Sequence, residues 1–229
     1  RLSSELDMIC SLGFAGYFLL VKEIASFATE MGFPYLGRGS GASSLVSYCL
    51  GLTHVDPVKH NLYFERFLNP ERKNLPDIDL DFSSADRDFV IEKVIKNYGE
   101  EHVAMISTHN CFSTRSAFRE IGKALSIPEE EISAVAKALP HSDLDHLGKA
   151  IKLKPEAKKI AWKDGPWLNV LSVARMIDGF PRHLSVHCGG IVVAPIPLTE
   201  RTPLERSAKG VPITQYDMFD IEDLGLVKI

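Results

Sequence analysis

The chain has 229 residues, 45% of them hydrophobic and 24% charged, and a net charge of −4. That length can bury a sizeable core in one domain or two small ones, and the charge excludes a uniformly basic nucleic-acid coat, so any such binding must come from local patches. No apolar run approaches a membrane span, Arg1 to Leu6 lack the apolar core of a signal peptide, and Cys10, Cys49, Cys111 and Cys188 are too scattered for a disulfide framework, so a reducing cytoplasm and no membrane partner are expected.

Residues 3–31 read as one long helix or two. Leu6, Ile9, Leu12, Phe18, Leu19 and Ile24 give a wide apolar stripe, Gly13 and Gly16 are candidate interruptions, and Gly32-Phe33-Pro34 ends it. Tyr35-Leu36 then leads into Gly37-Arg38-Gly39-Ser40-Gly41, and residues 42–50 look helical until Gly51. Glycines let a backbone turn tightly and aim consecutive N–H groups at an anion, and a helix N-terminus adds partial positive charge. Ser40, Ser43 and Ser44 offer hydroxyls, and Arg38 can meet a phosphate bidentately. The spacing is neither that of a P-loop nor the G-x-G-x-x-G dinucleotide pattern. Taken alone, such a turn is as often a plain helix start as a phosphate cradle. Further on, Arg66 lies between Phe64 and Phe67, which predicts a buried backbone and a guanidinium reaching a cleft.

The run Pro76-Asp77-Ile78-Asp79-Leu80-Asp81-Phe82 carries the most chemistry. Its period of two predicts a strand, and residues i, i+2 and i+4 of a strand leave by one face, so Asp77, Asp79 and Asp81 point together. Three like charges side by side destabilise a sheet unless a cation neutralises them. Clustered hard oxygen ligands suit Mg²⁺ or Mn²⁺, and two such ions about 3.5–4 Å apart serve phosphoryl and nucleotidyl transfer. The plainer alternative, a solvated acidic edge strand, fits less well with Ile78, Leu80 and Phe82 seeking a core.

Ser83 or Ser84 then caps a helix carrying Phe89, Val90, Val94 and Ile95 that stops at Gly99, and residues 103–107 form a short apolar strand. From His109 to Asp178 the pattern is helical, broken at Pro128, Pro140, Pro155 and Pro166 into roughly four or five short helices. Trp162 and Trp167 belong to the core or interface of this insert. Strand periodicity returns at Val186, with 190–194 as a buried strand and 211–215 and 224–229 as further candidates. The expected architecture is therefore a mixed α/β (α+β) body in two sequence segments, 1–108 and 186–229, interrupted by an all-helical insert, 109–185. Arg115, Arg119 and Lys123, four apart on one helix, and the lysines from Lys149 to Lys163, with Lys158 and Lys159 at their centre, are candidate contacts for DNA phosphates. A solvated helix face explains the lysines equally well. His183, His187 and Cys188 hint at zinc, although a hydrogen-bonded histidine at the start of a strand fits better, and Asp217, Asp220, Glu222 and Asp223 read as a solvated acidic patch.

Four runs in this order carry a resemblance: Gly37-Arg38-Gly39-Ser40-Gly41-Ala42, residues Phe64 to Arg72, Pro76 to Phe82, and His187-Cys188-Gly189-Gly190-Ile191-Val192. The chain resembles the catalytic core of the bacterial DNA polymerase III alpha subunits, the C-family polymerases that include error-prone relatives. The resemblance implies a nucleotidyltransferase-like palm and, for the insert, a thumb that grips primer–template DNA. It implies that Asp77 and Asp79, rather than Asp81, are the catalytic metal ligands for two Mg²⁺ ions, with Mn²⁺ as an alternative. Gly39 and Ser40, with Arg38 beside them, match the turn on the phosphates of an incoming deoxynucleoside triphosphate. Arg66 matches a triphosphate-side arginine, and Lys228 a lysine beside the active site. The family places a third catalytic aspartate after a lysine and one hydrophobic residue, so the chain is expected to stop one residue short of it at Lys228-Ile229, to lack the fingers, to be inactive alone, and to meet other replicase subunits through regions outside it. Ser43 and Cys188 stand where the family commonly has glycine and alanine, small for small in both cases. The competing class is a non-catalytic nucleotide- or polyphosphate-binding, or purely structural, module of a larger assembly; a mere binder would not need the acidic strand.

Overall fold

The computed structural model describes residues 1–71, 76–139, 157, 160, 162 and 165–229. In chain order the elements are α1 (Leu2–Ser11), α2 (Ala15–Glu30), β1 (Tyr35–Arg38), α3 (Leu45–Cys49), β2 (Asp79–Phe82), α4 (Ser84–Tyr98), β3 (Val103–Cys111), α5 (Thr114–Ala124), α6 (Glu129–Ala138), α7 (Trp167–Ile177), β4 (Pro181–Val193), β5 (Leu204–Arg206), β6 (Pro212–Thr214) and α8 (Met218–Asp223). Single 3-10 turns occupy Ser40–Ser43, Phe64–Arg66 and Leu198–Glu200. The fold is α+β. It divides into two compact units, residues 1–108 with 186–229, and residues 109–185.

In the first unit the apolar stripe of residues 3–31 becomes two helices. Gly13 adopts φ +79° and the chain turns there, so α1 and α2 meet at 110°. Both bury their stripes in one core, where Ile9, Phe18 and Val21 meet Leu52, Phe67 and Ile78. Among the described residues no single helix is long and apolar enough to cross a membrane.

β1 and β2 form a separate antiparallel ribbon, in register from Tyr35 opposite Phe82 to Arg38 opposite Asp79. The acidic strand is thus shorter than its alternation predicts. Gly39 turns β1 away after Arg38, so Asp77 and Ile78 have no strand to pair with and only lead into the ladder. Ser83, not Ser84, caps α4, accepting a hydrogen bond from the Asp86 N–H, and Gly99 ends it as expected.

The second sheet has the order β4-β3-β6-β5, with β3 parallel to β6 and β5 antiparallel to β6. Ala104, Ile106 and Val192 from its strands pack with Leu198, Ile221 and Leu226. Residues 224–229 do not form a full strand. Val192 bridges Lys228, and Ile191 and Ile229 exchange two backbone hydrogen bonds of 3.0 and 2.9 Å, which fixes Lys228 beside β4.

The second unit packs α5, α6 and α7 around Phe118, Ile132, Leu139, Trp167 and Val170. Phe118 and Trp167 stack at 5.7 Å, and the Trp162 indole donates to the Ala157 carbonyl. Pro128 and Pro166 stand directly before α6 and α7, where a missing N–H costs nothing. The helical insert is entered and left on strand. β3 continues to Cys111 and β4 starts at Pro181, and Asn110 donates to Ser185 Oγ at 2.6 Å. Apolar alternation could not mark these ends, because β3 changes from buried to mostly exposed after Ser107.

Candidate active site

The ribbon brings Asp79 and Asp81 to one face, where Arg38 meets both. Its Nε lies 2.7 Å from Asp81 Oδ2 and its Nη1 3.6 Å from Asp79 Oδ2. Asp77, just ahead of the ladder, is held by Lys228, with Nζ 3.0 Å from Oδ2. The repulsion expected among these carboxylates is therefore partly offset by two cations of the chain itself. Burial, and then the charge of Asp77, still push the Asp79 carboxyl above its ordinary range, against the opposing pull of Lys228 and Arg38. Asp77 Oδ1 is buried and accepts no hydrogen bond from the described residues. An orphaned carboxylate oxygen beside a carboxyl with a raised pKa is the environment a divalent cation relieves. Asp77 and Asp79 thus fit as metal ligands, and Asp81 makes the closer of the two contacts with Arg38. Among the described residues no set of three or more His, Cys, Asp or Glu side chains is placed to hold a metal.

The glycine-rich turn lies directly against this pair. Gly39 has φ +75° and ψ −158°, a conformation open in practice only to glycine, and a Cβ there would come within 3.4 Å of Asp79 Oδ2. Ser40 then opens the 3-10 turn, which rests on the turn containing Arg66. Arg66 is exposed between buried Phe64 and Phe67.

One expectation for the turn needs correction. The helix start does not follow the glycines: α3 begins only at Leu45, capped by Ser44, and its N-terminus already holds an anion. Glu5 of α1, 2% exposed, accepts from the Leu45 N–H at 2.6 Å, the Val46 N–H at 3.2 Å and the Ser44 hydroxyl at 3.0 Å. Arg1 completes the charge balance at 2.9 Å. The partial positive charge of that terminus is therefore neutralised inside the protein and is not free for an external anion.

Sequence reasoning missed three residues that shape the site. Glu5 shares the buried face of α1 with Ile9, and a carboxylate on an apolar stripe was its visible signal. Tyr17 of α2 places its hydroxyl between the Ile78 N–H and the Lys228 carbonyl. Burial raises that hydroxyl's pKa well above its usual value, so it remains a neutral donor. Arg87 of α4 donates to the Cys188 carbonyl at 2.6 Å and, with Arg38, Asp79 and Asp81, lines the polar side of a cavity of about 230 Å³ whose apolar side includes Val90, Met105 and Ile191.

Arg115, Arg119 and Lys123 do share a face of α5, and that face meets α6. Arg115 donates to the Leu139 carbonyl at 2.6 Å and 3.1 Å, Arg119 reaches Ser133 Oγ at 2.9 Å and Glu129 at 3.4 Å, and Lys123 lies 3.7 Å from Glu120. Arg115→Ala should lower the melting temperature by about 2–4 °C, because charged hydrogen bonds at the end of α6 are lost, while Lys123→Ala should leave it unchanged. Thermal melts of both variants check this. Lys158, Lys159 and the other lysines of that cluster lie outside the described residues. His187 Nδ1 accepts from the Gly189 N–H at 3.2 Å, a local hydrogen bond rather than a ligand contact.

The bacterial DNA polymerase III alpha NTPase domain family matches residues 1–229. The chain is 43% identical over 230 residues to DNA polymerase III subunit alpha of Bacillus subtilis (strain 168), covering 100% of this chain and 21% of that protein. It is 40% identical over 230 residues to DNA polymerase III subunit alpha of Escherichia coli (strain K12), covering 100% of this chain and 20% of that protein. It is also 41% identical over 230 residues to an error-prone DNA polymerase of Symbiobacterium thermophilum, covering 100% of this chain and 21% of the relative. The chain spans about a fifth of the length of these relatives.

Proposed function

This chain belongs to the bacterial DNA polymerase III alpha NTPase domain family, and we propose that it supplies the nucleotidyl-transfer centre of a DNA-directed DNA polymerase. Residues 1–108 and 186–229 form the palm, and residues 109–185 the thumb on primer–template DNA. The buried Oδ1 of Asp77, without a partner among the described residues and next to Asp79, carries the reading.

Asp77 and Asp79 would hold the divalent ions, Mg²⁺ or Mn²⁺. When bound, the metal supplies Lewis acidity to the primer 3′-hydroxyl and neutralises charge developing on the leaving pyrophosphate. The chain's own residues bind and orient. Gly39 leaves room beside Asp79 for a phosphate to approach, and Ser40, Arg38 and Arg66 grip the triphosphate from the turn side. Lys228 shares its charge between Asp77 and the nucleotide. This is positioning and electrostatics, with no protein nucleophile. Deoxynucleoside triphosphates, primer–template DNA and other replicase subunits are the partners this reading entails.

Calorimetric titration of Mn²⁺ into the 229-residue chain, with and without a deoxynucleoside triphosphate, tests it. We expect weak binding of the two ligands, each strengthening the other, loss of that coupling in Asp77→Asn, and no primer extension by the chain alone, since among the described residues no set of three or more His, Cys, Asp or Glu side chains is placed to hold a metal. Nucleotide binding that is indifferent both to metal and to Asp77→Asn would leave a non-catalytic polyphosphate-binding module instead.

A further inference from the structure

We propose that Tyr17 is a positioning residue of this site, whose hydroxyl sets the Asp77–Asp79 segment against the segment that carries Lys228. The hydroxyl accepts from the Ile78 N–H at 3.0 Å and donates to the Lys228 carbonyl at 3.3 Å. The inference rests on the reading of Asp77 and Asp79 as metal ligands.

Ile78 lies between the two ligands, and β2 starts only at Asp79, so no strand partner anchors the backbone at 77 and 78. The buried Ile78 N–H finds its partner in a side chain 61 residues away. The same oxygen reaches a residue 211 positions away, whose ammonium holds Asp77 at 3.0 Å. One atom thus ties together the three segments whose relative placement decides how far Asp77 stands from Asp79 and from Lys228. The ring is only 8% exposed and packs edge-on against Phe18 at 6.2 Å, so it cannot swing away. One hydrogen bond goes to the backbone between the two ligands, and the other to the backbone of the lysine that holds Asp77.

Tyr17→Phe removes the hydroxyl and keeps the ring. Mn²⁺ affinity, read from the electron paramagnetic resonance of free Mn²⁺, should fall about five-fold, the scale of one lost hydrogen bond with its N–H left unpaired. The Ile78 amide should exchange with solvent faster. Phe18→Leu, a loss of packing at the neighbouring ring, should lower the melting temperature and leave Mn²⁺ affinity as it was. Equal Mn²⁺ affinity in Tyr17→Phe and the parent, or an equal loss in Phe18→Leu, overturns the role of Tyr17 while Asp77→Asn still abolishes binding. Mn²⁺ binding that ignores Asp77→Asn removes the metal reading itself, and this inference with it.

Discussion

In a full-length polymerase carrying this chain, Asp77→Asn or Asp79→Asn is expected to slow primer extension by at least about 10³-fold, since a bound metal contributes several kcal/mol to the transition state and each 1.4 kcal/mol is a factor of ten. DNA affinity should stay near that of the parent, because neither carboxylate is a phosphate-binding group. The two variants should part company in stability. Asp79 has its pKa raised in the fold, by burial first and by Asp77 second. A raised carboxyl adds stability that is fully present below its ordinary pKa and is lost as the pH climbs through the raised value. At neutral pH the ionised Asp79 is therefore a cost, and in metal-free buffer Asp79→Asn should melt about 1–2 °C higher, a modest gain because solvent screens the half-buried group. Below about pH 4 the advantage should disappear, since the native carboxyl is then already neutral. Asp77→Asn instead takes the counter-charge from Lys228 and brings no such gain. Scanning calorimetry without metal, paired with primer extension, separates the two. A lower melting temperature for Asp79→Asn at neutral pH would mean that Arg38 and Lys228 already satisfy it and that a cation has little left to relieve.

How much of this was legible beforehand follows from where the signals come from. The acidic alternation, the glycine run and the arginine between two phenylalanines are local patterns, legible in part: β2 covers only Asp79–Phe82 of the alternation, and α3 starts at Leu45 rather than at the glycines. The chain divides at 108/109 and 185/186, within strands that continue past both points. What stayed hidden depends on contacts between distant residues. No pattern within residues 76–82 reveals that Arg38 faces Asp81, because that needs the register of β1 on β2. No pattern near Ser44 reveals that its helix start is already taken by Glu5, some 40 residues earlier. The polar ends of β3 and β4 were read as helical because alternation marks a strand only where one face is buried. Tyr17 stands next to the apolar stripe of residues 3–31 and carries no local signal of its own. Its hydroxyl became informative only once Ile78 and Lys228 were seen on either side of it.

The glycine turn offers the sharpest contrast between a residue that holds the fold and one that serves the site. At Gly37 a Cβ would stand 1.7 Å from the Leu52 carbonyl oxygen and 2.7 Å from its carbon, backbone against backbone, with Thr53 Cα at 3.1 Å. Leu52 is fully buried in the main core, and Gly37 is paired to Leu80 in the ribbon, so neither side can retreat without moving the other. Gly37→Ala is therefore expected to cost about 4 kcal/mol or more, beyond ordinary overpacking, and to leave little folded protein in urea titrations. At Gly39 the added methyl meets only Asp79 Oδ2, at 3.4 Å, and the main cost is the backbone conformation, about 1–3 kcal/mol. Gly39→Ala should then remain folded, with a lower midpoint in urea, yet lose most of its metal-dependent nucleotide binding, because the methyl occupies the approach to Asp79. If Gly39→Ala binds nucleotide as the parent does, the turn is a way of bending the chain and the phosphates go elsewhere. If Gly37→Ala folds with its midpoint intact, the strand and the Leu52 loop separate more readily than their contact allows, and the turn is less firmly held against the carboxylates than a preorganised site requires.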